Sequence, residues 1–187
     1  QKCLVIANLF GGVHFGRHYE EFRRFFRSLR FAPALQSAAA NFAEKLSGGR
    51  PKGYVAIHWR TWFLERPEHG EDNRSSLMSE LAASIRHARR VLSKDAGDDA
   101  PVGLFFASDN WSSANDARKL ALRSAGARAW LLSSEDTLPL ARSMMHGHVA
   151  LDILLCSGAG AFIGTGSSTV SQTAVLMRWA AAADALG

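Results

Sequence analysis

Apolar and polar positions along the chain switch between two periods. Short apolar runs rich in β-branched and aromatic residues read as strands: "CLVIANL" from Cys3, "YVAIHW" from Tyr54, "VGLFFAS" from Val102, "ARAWLL" from Ala127 and "GAFIGT" from Gly160. Helical spacing fills the gaps. In "RHYEEFRRFFRSLR", Phe22, Phe25, Phe26 and Leu29 fall at i, i+3, i+4 and i+7, predicting an apolar stripe with arginines on the opposite face. Leu77, Leu81, Ile85, Ala88 and Leu92 predict a second stripe on a helix from about 74 to 94, and further helices are expected over about 112–124 and in "SSTVSQTAVLMRW". Gly126 fits a helix stop, and "KDAGDDAP" fits a loop. Apolar runs alternating with helices predict an α/β, Rossmann-like domain whose mostly parallel sheet is flanked by helices and buried on both faces.

Composition narrows this picture. With 187 residues, 47% hydrophobic and 21% charged, the chain can build one packed core and is too apolar to be disordered. One domain over 1–187 is expected; the chain opens at Gln1 without an initiator Met or a signal-like segment, as a mature chain or part of a longer one would. Asp152 and Arg178 interrupt the two most apolar stretches, so no membrane span is expected. The formal charge of +5 fits an anionic ligand, while the arginine-rich runs read as solvated helix faces and not as nucleic-acid patches. Two cysteines, Cys3 and Cys156, exclude a disulfide scaffold and a CxxC metal site, and Cys156 reads as core. Asn73-Arg-Ser75 and Asn110-Trp-Ser112 match the glycosylation acceptor triplet, a pattern that often arises by chance.

Three strands end on polar residues: His58 and Arg60, then Ser108 and Asp109, then the loop "GTGSST" that opens a helix. In a parallel sheet, ligands sit beyond the carboxyl ends of the strands. There a guanidinium, an imidazole, a carboxylate, hydroxyls and free helix amides suit a phosphate-bearing ligand. "GTGSST" lacks the Walker pattern, and the glycines of "GAGAFIG" precede and include a strand where a dinucleotide fingerprint follows one.

"YVAIHWR", "FFASDN" and "ALDILLCSGAGAFIGTGSSTVSQTAVLMR", in this order and spacing, resemble the three motifs of the GDP-fucose protein O-fucosyltransferase superfamily. "RSLRFAPALQSAAANFAEKL" is similar to the helix preceding the first motif, and the likeness runs over roughly 29 to 178. The resemblance implies the C-terminal, donor-binding half of a two-domain GT-B glycosyltransferase, with 1–30 as the connection from its N-terminal domain. It implies transfer of fucose from GDP-fucose to a protein or glycan hydroxyl, inverting and metal-independent, with no cofactor and with the missing N-terminal domain as partner. It also implies residence in the lumen of the secretory pathway. By motif position, Arg60 would hold the donor diphosphate as the catalytic group, with His58 beside it; Trp59 falls within the same substrate-binding motif, while strand alternation points it to the opposite side from His58 and Arg60. Asp152 would take the nucleoside end, Ser168, Thr169 and Val170 would meet phosphates and base, and Asp109 would order the wall. Trp59 and Thr169-Val170 depart from the pattern, which more often has a small aliphatic residue and Ser-Phe there. Two other readings are a non-catalytic nucleotide-sugar-binding module and, on "GAGAFIG" alone, an NAD(P)-binding oxidoreductase domain.

Overall fold

A computed structural model of the chain describes residues 4–7, 19–50, 52–60, 70–93, 101–109, 114–141, 147–165 and 168–184. Five strands, β1 (Leu4–Ala7), β2 (Tyr54–Trp59), β3 (Gly103–Ser108), β4 (Trp130–Ser133) and β5 (Ala161–Gly164), form one sheet in the order β1-β5-β2-β3-β4. Every pairing is parallel, as expected for apolar runs too short to be helices and separated by helices. The helices are α1 (Tyr19–Ser28), α2 (Pro33–Ser47), α3 (Gly70–Ser93), α4 (Asn115–Ala125), α5 (Ser134–Ala141), α6 (Gly147–Gly158) and α7 (Thr169–Asp184). The architecture is α/β and Rossmann-like.

All six residues of both β2 and β3 are buried, and side-chain alternation sorts them onto two faces. Val55, Ile57, Trp59, Leu104 and Phe106 pack under α3 and α4. Tyr54, Ala56, Phe105, Ala107 and Phe162 pack under α2, α6 and α7. The predicted α3 stripe holds, since Leu77, Leu81, Ile85 and Ala88 are buried and Leu92 is partly so. The α1 stripe does not hold as predicted. Phe25 is 57% exposed and stacks edge-to-face on Phe26, because α1 packs mainly along α7 and one helix covers only part of a stripe.

Neither α5 nor α6 shows in the periodicity. α6 is apolar on nearly every side, which removes the stripe that marks an amphipathic helix, and α5 is short. α3 starts at Gly70, ahead of its first stripe residue. Gly126 ends α4 as predicted, with φ at +101°. The glycine spacing of "GAGAFIG" has a packing cause at Gly160. A Cβ there would lie 2.0 Å from the Lys52 carbonyl oxygen, and the Gly160 N–H donates to Tyr54 O at 3.1 Å. Cys156 is core, as expected. Cys3, residues 94–100, Asn110 to 113, Gly166 and Ser167 lie outside the described residues.

Arg178, which looked in sequence like an interruption of an apolar helix, is 3% exposed and caps the end of α6. Its guanidinium donates to the carbonyls of Cys156 (3.3 Å), Ser157 (3.1 Å), Ala159 and Gly160 (3.2 Å). These are the carbonyls left open where a helix stops, so α7 is tied to the turn that feeds β5. Among the described residues no helix is long and apolar enough to cross a membrane.

β2 and β5 are neighbours, yet the chain leaves them toward opposite faces: β2 runs on to α3, and β5 to α7. Diverging connections open a crevice at the carboxyl edge of the sheet.

Candidate functional site

That crevice is a cavity of about 340 Å³, within the range of small-ligand pockets, lined by His58, Arg60, Ser108, Asp109, Ser134, His148, Val149, Asp152 and Val170. β2 and β3 and the residue just past each supply the first four. Ser134 opens α5, His148, Val149 and Asp152 come from the first two turns of α6, and Val170 lies in the first turn of α7. Three helices thus begin at one cavity, each presenting amides without an intrahelical partner and the positive end of its dipole. α5 is set by the Asp136 carboxylate, whose Oδ2 accepts both the Ser133 backbone N–H at 2.6 Å and the Ser133 hydroxyl at 2.9 Å.

The β2 and β5 tips are sewn together through Thr165. Its hydroxyl donates to the His58 carbonyl at 3.0 Å and accepts the Arg60 N–H at 3.2 Å, while its own N–H donates to Ser171 Oγ at 3.0 Å. Ser171 Oγ also lies 2.8 Å from His58 Nδ1. Gly164 makes room for this contact, since a Cβ there would sit 2.8 Å from Ser171 Oγ.

Arg60 and Asp109 face each other with Nε 3.7 Å from Oδ2, each side chain 35% exposed, so the ion pair stands at the cavity mouth. Asp152 is different. Only 8% of it is exposed, and neither its Oδ1 nor the neighbouring Ser134 hydroxyl completes a hydrogen bond among the described residues. Burial pushes its carboxyl up to about 7, with the Ser134 hydroxyl acting weakly the other way. Burial lowers His58 to about 4; Asp109 opposes that shift and Arg60 adds to it. A neutral imidazole, a guanidinium and a carboxyl poised near neutrality therefore share one cavity.

Of the sequence-predicted residues, the structure brings together His58, Arg60, Asp109, Asp152 and Val170. Trp59 goes elsewhere. Adjacent strand residues face opposite ways, so Trp59 is buried in the core under α3 and α4, which corrects its reading as a ligand contact. Ser168 is fully buried with its hydroxyl unpartnered among the described residues, and Thr169 is exposed at the start of α7; neither lines the cavity. Ser134, His148 and Val149 line it and were missed, because α5 and α6 have no periodic signature. Ser108, a strand-end hydroxyl expected at the carboxyl edge of the sheet, lines it as well.

A larger cavity of about 470 Å³ lies between the carboxyl ends of α3 and α4, lined by Arg86, Arg89, Arg90 and Arg123 among others. Arginines there meet the negative ends of two helix dipoles, which accounts for them without a ligand. Among the described residues, no three of His, Cys, Asp and Glu gather in a group able to hold a metal ion. Comparison with models of known protein families and with curated proteins gives no match.

Proposed function

We propose that this chain binds the diphosphate of a nucleotide sugar at the β2/β5 crevice and is the donor-binding half of an inverting, metal-independent glycosyltransferase. By the motif resemblance, the donor is GDP-fucose and the acceptor a protein or glycan hydroxyl. The observation that carries the reading is the convergence of Arg60, His58 and three helix N-termini on one cavity that also takes in Asp152, whose buried Oδ1 has no hydrogen-bond partner among the described residues. Cationic and amide donors suit phosphate oxygens, and an acceptor-rich buried carboxylate suits a base edge carrying two adjacent N–H donors, such as guanine.

In the reaction, the acceptor oxygen forms a bond to the sugar's anomeric carbon as the bond from that carbon to the β-phosphate oxygen breaks. The electron pair leaves on the diphosphate. Arg60 and the helix amides meet that growing charge, and stabilising it more in the transition state than in the ground state is what accelerates the step. The proton of the acceptor hydroxyl goes to a base outside this set of residues. Calorimetric titration with GDP, GDP-fucose, UDP-sugars and NAD tests the reading. GDP and GDP-fucose should bind, with NAD and the UDP-sugars weaker. Equal or tighter binding of NAD would favour an oxidoreductase domain, and binding of GDP-fucose without transfer by the whole enzyme would favour a non-catalytic module.

A further inference from the structure

The Ser171 hydroxyl settles the state of His58. It accepts the Thr165 N–H, and its single proton is then directed at His58 Nδ1, 2.8 Å away. In the opposite arrangement, with Nδ1–H donating to Ser171, the two lone pairs of the oxygen would take both donors, but the hydroxyl proton of a residue only 3% exposed would need a further acceptor, whereas the pairing with Nδ1 as acceptor satisfies all three groups at once. Nδ1 is thus the acceptor, and the ring proton sits on Nε2, the nitrogen left for a ligand in the cavity that His58 lines.

We propose that His58 meets its ligand as a neutral Nε2–H donor, in a tautomer fixed by the positioning residues Ser171 and Thr165, and therefore is not the base that deprotonates an acceptor hydroxyl. A ring with its proton on Nε2 has no lone pair facing the cavity to receive another. The other ionisable groups around the cavity are Arg60, Asp109, His148 and Asp152. Arg60 beside the imidazole disfavours a second positive charge, and burial does so more strongly, whereas Asp109 pulls the other way. Ser171, in the first turn of α7, is the contact that locks the ring, and Gly164 lets it come close. That the ligand atom is a phosphate oxygen rests on the diphosphate reading above; the tautomer does not.

Long-range ¹H–¹⁵N NMR of the histidine-labelled chain tests this without any variant. The free protein at pH 7 should show His58 as one neutral form protonated at Nε2, staying neutral to well below the usual histidine range. Ser171→Ala should give mixed tautomers and weaken GDP by about three- to tenfold, the size of one neutral hydrogen bond, while Ser171→Thr restores both. An Nδ1–H signal in the wild type, or an unchanged tautomer in Ser171→Ala, would overturn the proposal. Should Ser171→Ala fail to fold, the wild-type spectrum still decides. An Nε2–H tautomer in a protein that ignores GDP would establish the locked ring and defeat the diphosphate reading.

Discussion

Replacing Asp152 by Asn separates a carboxyl kept for a ligand from one kept for the fold. Asp152 is 8% exposed, and burial lifts its carboxyl from an ordinary value near 3.8 to about 7. Between those values the folded chain holds a proton that the unfolded chain has released, so stability falls as pH rises through this window and the deficit is complete above pH 7. At about 1.36 kcal/mol per pK unit, the full deficit is ~4 kcal/mol, an upper figure because Asn keeps a polar atom in the same apolar wall. Asp152→Asn should therefore match the wild type near pH 4 and exceed it by roughly 2 kcal/mol or more at pH 8, by urea unfolding followed by circular dichroism. The same variant should lose GDP more than tenfold, about the 1.5–3 kcal/mol of a charge-assisted bond, and bind inorganic pyrophosphate unchanged. A variant less stable at pH 8, or one weakened equally toward GDP and pyrophosphate, would refute the reasoning.

Other outcomes follow from the same cavity. His58, lowered to about 4, has the opposite linkage: its contribution is present above pH 6.5 and is lost as pH falls toward 4. The two slopes oppose each other in the wild type, and His58→Asn should uncover a stability that declines steadily from pH 4 to pH 7 in the same unfolding assay. Arg60→Lys keeps the charge but loses the planar fork, so it should fold normally and weaken GDP by about 1–3 kcal/mol, read by calorimetry; early melting with unchanged GDP affinity would make the Asp109 ion pair its whole role. GDP affinity should survive EDTA, and a loss restored by manganese would show a metal in the site. Arg178→Met, which strands the carbonyls at the end of α6, should cost about 3 kcal/mol or more in unfolding free energy while leaving the nucleotide preference of the remaining folded protein unchanged.

The parallel sheet was legible because β2, β3 and β5 are short, mostly apolar and separated by helices, and the α3 stripe because one face of a long helix meets a sheet. His58, Arg60 and Asp109 were legible for a related reason: polar residues that end buried strands have to emerge at the sheet's carboxyl edge. Asp152 stood out as a charge inside "VALDILLC". The roof was not legible. Ser134, His148 and Val149 sit on α5 and α6, whose sequences carry no amphipathic period, and Ser171 looked like any serine early in a helix. Phe25 misled because an i, i+3, i+4 pattern marks an apolar face without saying how much of it a neighbour covers. Trp59 lies in the core because strand alternation turns it away from His58 and Arg60, although the motif alone groups the three.

The central claim, that the β2/β5 crevice is a nucleotide-diphosphate site, is tested most directly by following backbone amide resonances during a GDP titration. Saturable shifts are expected at His58 and Arg60, at Ser108 and Asp109, along the first turns of α6 and α7, and at Thr165 and Ser171. Shifts gathered instead around Arg86, Arg90 and Arg123 at the far end of the fold, or no saturable shifts at millimolar GDP, would contradict it.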